Sequence, residues 1–234
     1  MNFVRIGEKP EIARLPLFRD MDDGKRERIF SGSFLQVFPP QLTLFEAGQQ
    51  SDFLYVLVDG LVELYAVGAG RETTMRIVEP VTSFILAAVV TDMPFLMSAR
   101  TLVSSRVMLV PAALMREVIK QDAALMQATM QELAIGYRGL VRALTDMKLR
   151  QSGERLGNYL LEQSARLGDP VAFELNGEKR VLASLLGMTP ENLSRAFGAL
   201  RGHGLSINGS QISITDRERL AAFSRPDSVP ADPR

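Results

Sequence analysis

The 234-residue chain contains no cysteine and one histidine. The missing thiol excludes disulfides, thiolate zinc sites, cysteine nucleophiles and iron–sulfur clusters on Cys ligands. Net charge is also missing, because 27 Lys and Arg balance 27 Asp and Glu. Any attraction to a polyanion must therefore come from a local patch rather than a global field. From Lys148 to Arg225 there are 11 Lys and Arg against 8 Asp and Glu, a surplus of three that the rest of the chain offsets. No apolar run reaches the roughly 18 residues of a membrane helix, and the N-terminus lacks the charged-then-apolar pattern of a signal peptide, so a cytoplasmic protein with no membrane partner is expected. Asn-x-Ser matches at Asn192 and Asn208 are accordingly chance. No His–carboxylate cluster, metal-ligand spacing, glycine-rich phosphate loop or activated nucleophile marks an enzyme. His203, the lone imidazole, reads as a solvated turn residue.

A hydrophobic content of 46% is enough for real cores, and the length suits two modest domains. After a short helical lead-in, period-two apolar runs cut by turn residues extend from about residue 33 to Pro111: 34–38, 42–45, 53–58, 61–67, 74–78 and 102–110. This spacing predicts a small all-β barrel or sandwich over the first 121 residues. Past Pro111 comes a short helix, and Asp122 is placed to cap a long one running to about Lys148. Ala123, Met126, Met130, Leu133, Tyr137, Leu140, Leu144 and Met147 recur at alternating intervals of three and four, the narrow seam of a two-stranded coiled coil. Gly136, Gly139 and Ala143 add a line of small residues and weaken that helix. Residues 122–150 are thus a dimerisation helix whose end, Gln151-Ser152-Gly153, reads as a hinge.

A second domain over 151–224 opens with an amphipathic helix, Glu154 to Leu167. Lys179 to Arg195 then reads as a helix, a glycine turn and a second helix begun by Thr189-Pro190, the layout of a helix-turn-helix. Thr189 suits an N-cap, and Pro190 suits the first helical position because it has no N–H to leave unpaired. Glu191, Ser194 and Arg195, at i, i+3 and i+4, share one face, while Leu193, Phe197 and Leu200 turn to a core. An acceptor, a hydroxyl and a bidentate donor suit cytosine N4, a thymine or phosphate, and guanine O6/N7 in the major groove of double-stranded DNA. Lys179, Arg180, Ser184, Thr189 and Arg201 are candidate phosphate contacts. Asn208-Gly209, flanked by Leu205–Ile207 and Gln211–Ile214, predicts a hairpin that would form a wing. From Ser224 onward Pro, Asp and Ser dominate, and residues 225–234 read as an unstructured tail.

A β-roll, a long dimer helix and a winged helix-turn-helix in that order, over residues 12–223, resemble the Crp/Fnr superfamily of bacterial transcription regulators. The resemblance implies an α+β fold: an N-terminal cyclic-nucleotide-binding-like β-roll, a long dimerisation helix and a C-terminal winged helix-turn-helix. It further implies a homodimer on a palindromic site, with RNA polymerase as a partner. Thr189-Pro190-Glu191-Asn192-Leu193-Ser194-Arg195 looks like the Fnr-type reading pattern and so implies a TTGAT-type half-site. Pro190 stands where the Crp-type pattern has a further arginine, which argues against a GTGA half-site. Residues 81–100 lack the acidic-then-basic cassette of cyclic-nucleotide binders, so cAMP is not expected, and Arg100 reads as a rim charge. Without cysteine, the resemblance leaves the nitric-oxide-responsive Dnr and NnrR-like branch, to which Phe84–Val90 and Asp216–Leu220 look similar. Phe84, Leu86 and Met97 would then line an effector pocket. A haem, were one held, would need Met75, Met93, Met97, Met126, Met130, a Tyr or a terminal group as axial ligand. The alternative is a ligand-independent, FixK-like regulator whose β-roll is purely structural.

Overall fold

The computed structural model describes residues 10–175 and 177–225. Helices α1 (Pro10–Ala13), α2 (Pro16–Arg19) and α3 (Asp23–Ser31) lead into strands β1 (Phe34–Phe38), β2 (Thr43–Phe45), β3 (Phe53–Asp59), β4 (Val62–Gly68), β5 (Arg71–Val78) and β6 (Thr82–Phe84). Helix α4 (Leu86–Thr91) interrupts them before β7 (Ser98–Thr101), β8 (Ser105–Pro111) and α5 (Ala112–Gln121). The long helix α6 (Ala123–Leu149) is followed by α7 (Ser152–Arg166), β9 (Ala172–Glu174), α8 (Lys179–Leu185), α9 (Pro190–Leu200), β10 (Leu205–Asn208), β11 (Gln211–Ile214) and α10 (Arg217–Ser224). The chain falls into two compact units, Met1–Tyr137 and Arg138–Arg234, and α6 runs through the division.

In the first unit two four-stranded antiparallel sheets, β1-β8-β3-β6 and β2-β7-β4-β5, form the roll. The continuous apolar run at Leu54–Val58 is buried throughout because β3 is covered on both faces. Leu54, Val56 and Val58 face a core shared with Ile29, Met115 and Leu125 of the helices. Tyr55 and Leu57 face the other core, where Phe45, Phe84 and Phe95 pack. Asp122 caps α6 as expected: its Oδ1 accepts from the Leu125 N–H at 2.9 Å, and its Oδ2 accepts from the Asp22 N–H at 3.0 Å. Burial pushes this carboxyl up, but the backbone N–H donors and Lys25 outweigh that and hold it below its ordinary value.

Several expectations need correction. The region before Pro111 is not all β, because 86–91 forms α4, with Leu86 and Val89 buried three apart on one face. The run 102–110 is a strand only from Ser105; β7 precedes it and includes Arg100, whose charge broke the apolar pattern. The segment read as a hinge is the start of α7, where Gln151 is the N-cap in a reciprocal capping box with Glu154 and Ser152 is already helical. Ser224, placed at the boundary with the expected tail, is the fully buried last residue of α10. Residues 226–234 of that tail lie outside the described residues.

Beside the packing of Leu125, a hydrogen bond ties α6 to the roll inside the first unit, where the Ser83 hydroxyl donates to Glu132 Oε1. Burial pushes the Glu132 carboxyl up, only partly countered by that bond and by Arg76. A carboxyl raised in the fold costs stability when ionised, so the first unit is more stable below the ordinary glutamate range and loses that margin as pH rises through the raised value. Glu132→Gln should therefore leave melting at pH 4.5 nearly unchanged and modestly raise it at pH 7, with the difference between the two curves tracking the titration.

Candidate nucleic-acid interface

The second unit gathers α7, α8, α9, α10 and the sheet β10-β11-β9 around Leu156, Leu160, Leu193, Phe197, Leu200 and Ile212. Helix α8 ends at Leu185 with Leu186 as its C-cap, and Gly187 at φ 62° turns the chain into Thr189. The Thr189 hydroxyl accepts from the Asn192 N–H at 3.2 Å, and Pro190 occupies the first turn. With Leu193, Ala196, Phe197 and Leu200 buried at i, i+3, i+4 and i+7, the opposite face of α9 is left to solvent. Glu191, Ser194 and Arg195 are all exposed on that face. Gly198 follows one turn on, and no neighbouring atom lies within 4 Å of where its Cβ would be. A backbone such as that of a duplex could approach there closely.

The polar groups of this face are pre-oriented. The Thr189 hydroxyl donates to Glu191 and, with the backbone N–H and the nearby Arg195, holds that carboxyl below its ordinary value. Glu191 is thus an ionised acceptor throughout the neutral range. Asn192, which the sequence reading did not single out, accepts from Arg195 Nη2 through its side-chain oxygen and steadies the guanidinium. Lys179, Arg180, Thr189 and Arg201 are exposed, and Ser184 is half-buried. Arg180 lies 4.0 Å from Glu178, a surface pair of little energetic weight.

The wing forms with one difference. Asn208 pairs with Gln211 as the last strand residue, so the two-residue turn is Gly209-Ser210, and only Gly209 has positive φ, at 64°. Glycine at the first central position suits the mirror-type turn whose twist matches the strands. His203 is not a solvated turn residue either. It lies in a 3-10 turn after α9, half-buried, with its ring stacked 4.1 Å from Phe223.

Along α6 the seam divides. Leu133 packs against the first core, whereas Met126, Met130, Tyr137, Leu140, Leu144 and Met147 are exposed, from 41% at Met126 to 70% at Tyr137. An apolar stripe of this length open to water marks an interaction surface. Gly136 and Gly139 beside it have no neighbouring atom within 4 Å of a Cβ position.

The roll distributes its candidate residues differently. Phe84 belongs to the inner core with Met97 packed on its edge, while Leu86 belongs to the core beneath the helices, so the three do not line one cavity wall. Rings fill the inner core: Phe45 lies 4.0 Å from Phe95 and 5.0 Å from Tyr55, and Tyr55 lies 5.5 Å from Phe84. Arg100 is not a rim charge. Its Nε donates to Glu63 at 2.7 Å, its Nη1 to Glu72 at 2.9 Å, and its guanidinium lies 4.4 Å over Tyr65. Burial alone would lower its pKa, but bonding to Glu63 and Glu72 outweighs this. That guanidinium is committed within the protein, and α4 offers only the Thr91 hydroxyl among apolar side chains, so the stretch 81–100 does not fit a cyclic-nucleotide phosphate. The methionines considered as haem ligands lie on separate segments: Met75 on β5, Met93 and Met97 between α4 and β7, Met126 and Met130 on α6. Among the described residues no cluster of three or more His, Cys, Asp or Glu could hold a metal ion, and no helix is long and apolar enough to cross a membrane.

Residues 35–122 match the family model of the cyclic nucleotide-binding domain, and residues 154–223 match that of the Crp-like helix-turn-helix domain. The CRP-like cAMP-activated global transcriptional regulator of Mycobacterium tuberculosis is 26% identical over 196 residues, covering 80% of this chain and 87% of that one. The fumarate and nitrate reduction regulatory protein of Escherichia coli is 25% identical over 193 residues, covering 78% and 75%. The fold of FixK2 from Bradyrhizobium japonicum superposes with a TM-score of 0.75 at 22% identity, covering 84% of this chain and 99% of that one.

Proposed function

From the premise that this chain belongs to the Crp/Fnr family of DNA-binding transcription regulators and is not an enzyme, we propose that it acts in the cytoplasm as a homodimer reading a palindromic, TTGAT-type operator. The observation that carries this reading is the outward face of α9, where Glu191, Ser194 and Arg195 stand together opposite a buried apolar face. Arg195 reads guanine O6 and N7, Glu191 accepts from cytosine N4, and the Ser194 hydroxyl meets a neighbouring base or phosphate. Lys179, Arg180, Ser184, Thr189 and Arg201 position the head on phosphates. The two heads sit about one helical turn apart, roughly 34 Å, as a two-fold axis requires. The open seam on α6 supports the dimer, and RNA polymerase is the partner that such a regulator engages.

Titrating matched and base-substituted duplexes tests the assignment. Arg195→Ala should cost about 1–3 kcal/mol on the matched operator and erase discrimination at a single G·C pair, whereas Lys179→Ala should weaken all sequences alike and flatten the salt dependence. Equal losses for Arg195→Ala on matched and scrambled duplexes would remove that arginine from base reading.

At the roll we propose a gas or redox signal, nitric oxide, in place of a cyclic nucleotide, because the one arginine in 81–100 is already paired with carboxylates. The ring-filled inner core favours a second reading, in which the roll is structural and DNA binding is constitutive. Absorption spectra of protein from haem-sufficient cells separate the two. A Soret band that shifts with nitric oxide supports the first, and a spectrum without one, together with operator affinity indifferent to the gas, supports the second.

A further inference from the structure

Three helix C-termini in the second unit end on two arginines. Helix termini leave carbonyls without intrahelical partners, and a guanidinium, with five donors in a fixed fork, can serve several at once. Arg155, on α7, donates from Nη1 to the Arg150 carbonyl that ends α6 at 2.7 Å, from Nε to the Leu186 carbonyl that ends α8 at 2.9 Å, and from Nη2 to the Gly187 carbonyl at 3.4 Å. Arg150 pairs with Asp146 one turn back on α6 and donates to the carbonyls of Ser224, at 3.1 Å, and Arg225 at the end of α10. Both cations also face the negative ends of the helix dipoles. The turn that launches the reading helix abuts the long helix directly, since a Cβ on Gly187 would lie 3.1 Å from the Met147 methyl.

The clasp encloses the segment 151–153. The seam positions Leu140, Leu144 and Met147 belong to the same compact unit as the reading helix α9. This C-terminal part of the seam and the reading head are therefore joined within one compact unit through guanidinium–carbonyl bonds. Resting on the homodimer reading above, we infer that Arg155, with Arg150 behind it, is a positioning residue that fixes the separation of the two reading helices and thereby selects the half-site spacing of the operator. With 10–10.5 base pairs per turn, one inserted base pair rotates a half-site by about 35° and displaces it by about 3.4 Å. A clasped dimer cannot follow that shift without breaking these bonds, whereas an unclasped one can.

Fluorescence anisotropy with the full chain tests this on a palindrome at its preferred spacing, palindromes with one base pair added or removed, and a single half-site. The wild type should prefer the correct spacing at least tenfold over either shifted duplex. Arg155→Met should bring that ratio to about twofold while leaving single half-site affinity within twofold of wild type. Arg155→Lys should behave like Arg155→Met, because an ammonium cannot span the three carbonyls. Arg150→Met, which removes the bonds to Asp146 and to the end of α10, should give the same loss of spacing preference and carries the test should Arg155→Met fail to fold. Full spacing preference in the folded variants overturns the proposal. So does a half-site affinity that falls in step with the palindrome, which would mean a damaged head rather than a loosened one. A wild type that sediments as a monomer and binds the palindrome no better than a half-site overturns the dimer reading and this inference with it.

Discussion

Leu144→Glu is expected to make the protein monomeric and to lower its affinity for a palindromic operator at least a hundredfold. Leu144 is 52% exposed and belongs to none of the three buried cores, so the substitution leaves the folding of either unit nearly untouched. In a dimer the same position recurs across the two-fold axis, and two carboxylates would be desolvated together without a cation to answer them, a cost of several kcal/mol. Loss of the second head then removes the effective-concentration advantage of bivalent binding, typically 10²–10⁴ in affinity. Sedimentation together with titration of palindromic and single half-site duplexes distinguishes this from unfolding: half-site binding should persist while the palindrome loses its advantage. A variant that remains dimeric at micromolar concentration would assign the seam another role.

The largest effect on stability is expected at Gly204→Ala. Gly204 has φ 85°, and a Cβ there would lie 2.4 Å from the Asp216 carbonyl oxygen and 2.6 Å from Asp216 Cβ. That neighbour has little room to give. The Gly204 carbonyl accepts from Thr215 N–H at 2.8 Å and Asp216 N–H at 3.2 Å, and the Asp216 side chain caps α10 by accepting from the Arg219 N–H at 2.9 Å. The left-handed backbone costs alanine about 1–3 kcal/mol, and overpacking adds a similar amount. Against a domain stability of about 5–15 kcal/mol this should lower the melting temperature of the second unit by on the order of 10 °C or more and abolish operator binding at 37 °C. Gly209→Ala provides the control. Its φ is 64° but nothing lies within 4 Å of its Cβ position, so it should show the backbone cost alone, a clearly smaller loss. Equal losses at the two sites would mean that the contact with Asp216 is relieved by an easy shift.

Where the sequence reading succeeded, the signal was short-ranged. The apolar run at 53–58 announced a strand, and β3 stands there. Thr189-Pro190, followed by Leu193, Phe197 and Leu200, fixed where α9 begins and which face it buries, and so which face carries Glu191, Ser194 and Arg195. Where it failed, the deciding partner was distant in the chain. Arg100 looked solitary because Glu63 is brought to it by the neighbouring strand β4 and Glu72 by β5 beyond it. His203 looked solvated because Phe223 reaches it only when α10 folds back.

By itself the sequence determined the kind and order of the elements, the cap and face of the reading helix, and the apolar seam of α6, because helices and strands are written in contacts two to four residues apart. Tertiary structure alone decided which charges are free and which are committed. It took Arg100 out of contention for a ligand phosphate and turned Arg150 and Arg155 into a clasp over three helix ends. A guanidinium carries no local mark of its partner, since carbonyls at a helix end become acceptors in need of a donor only once folding has brought them within reach.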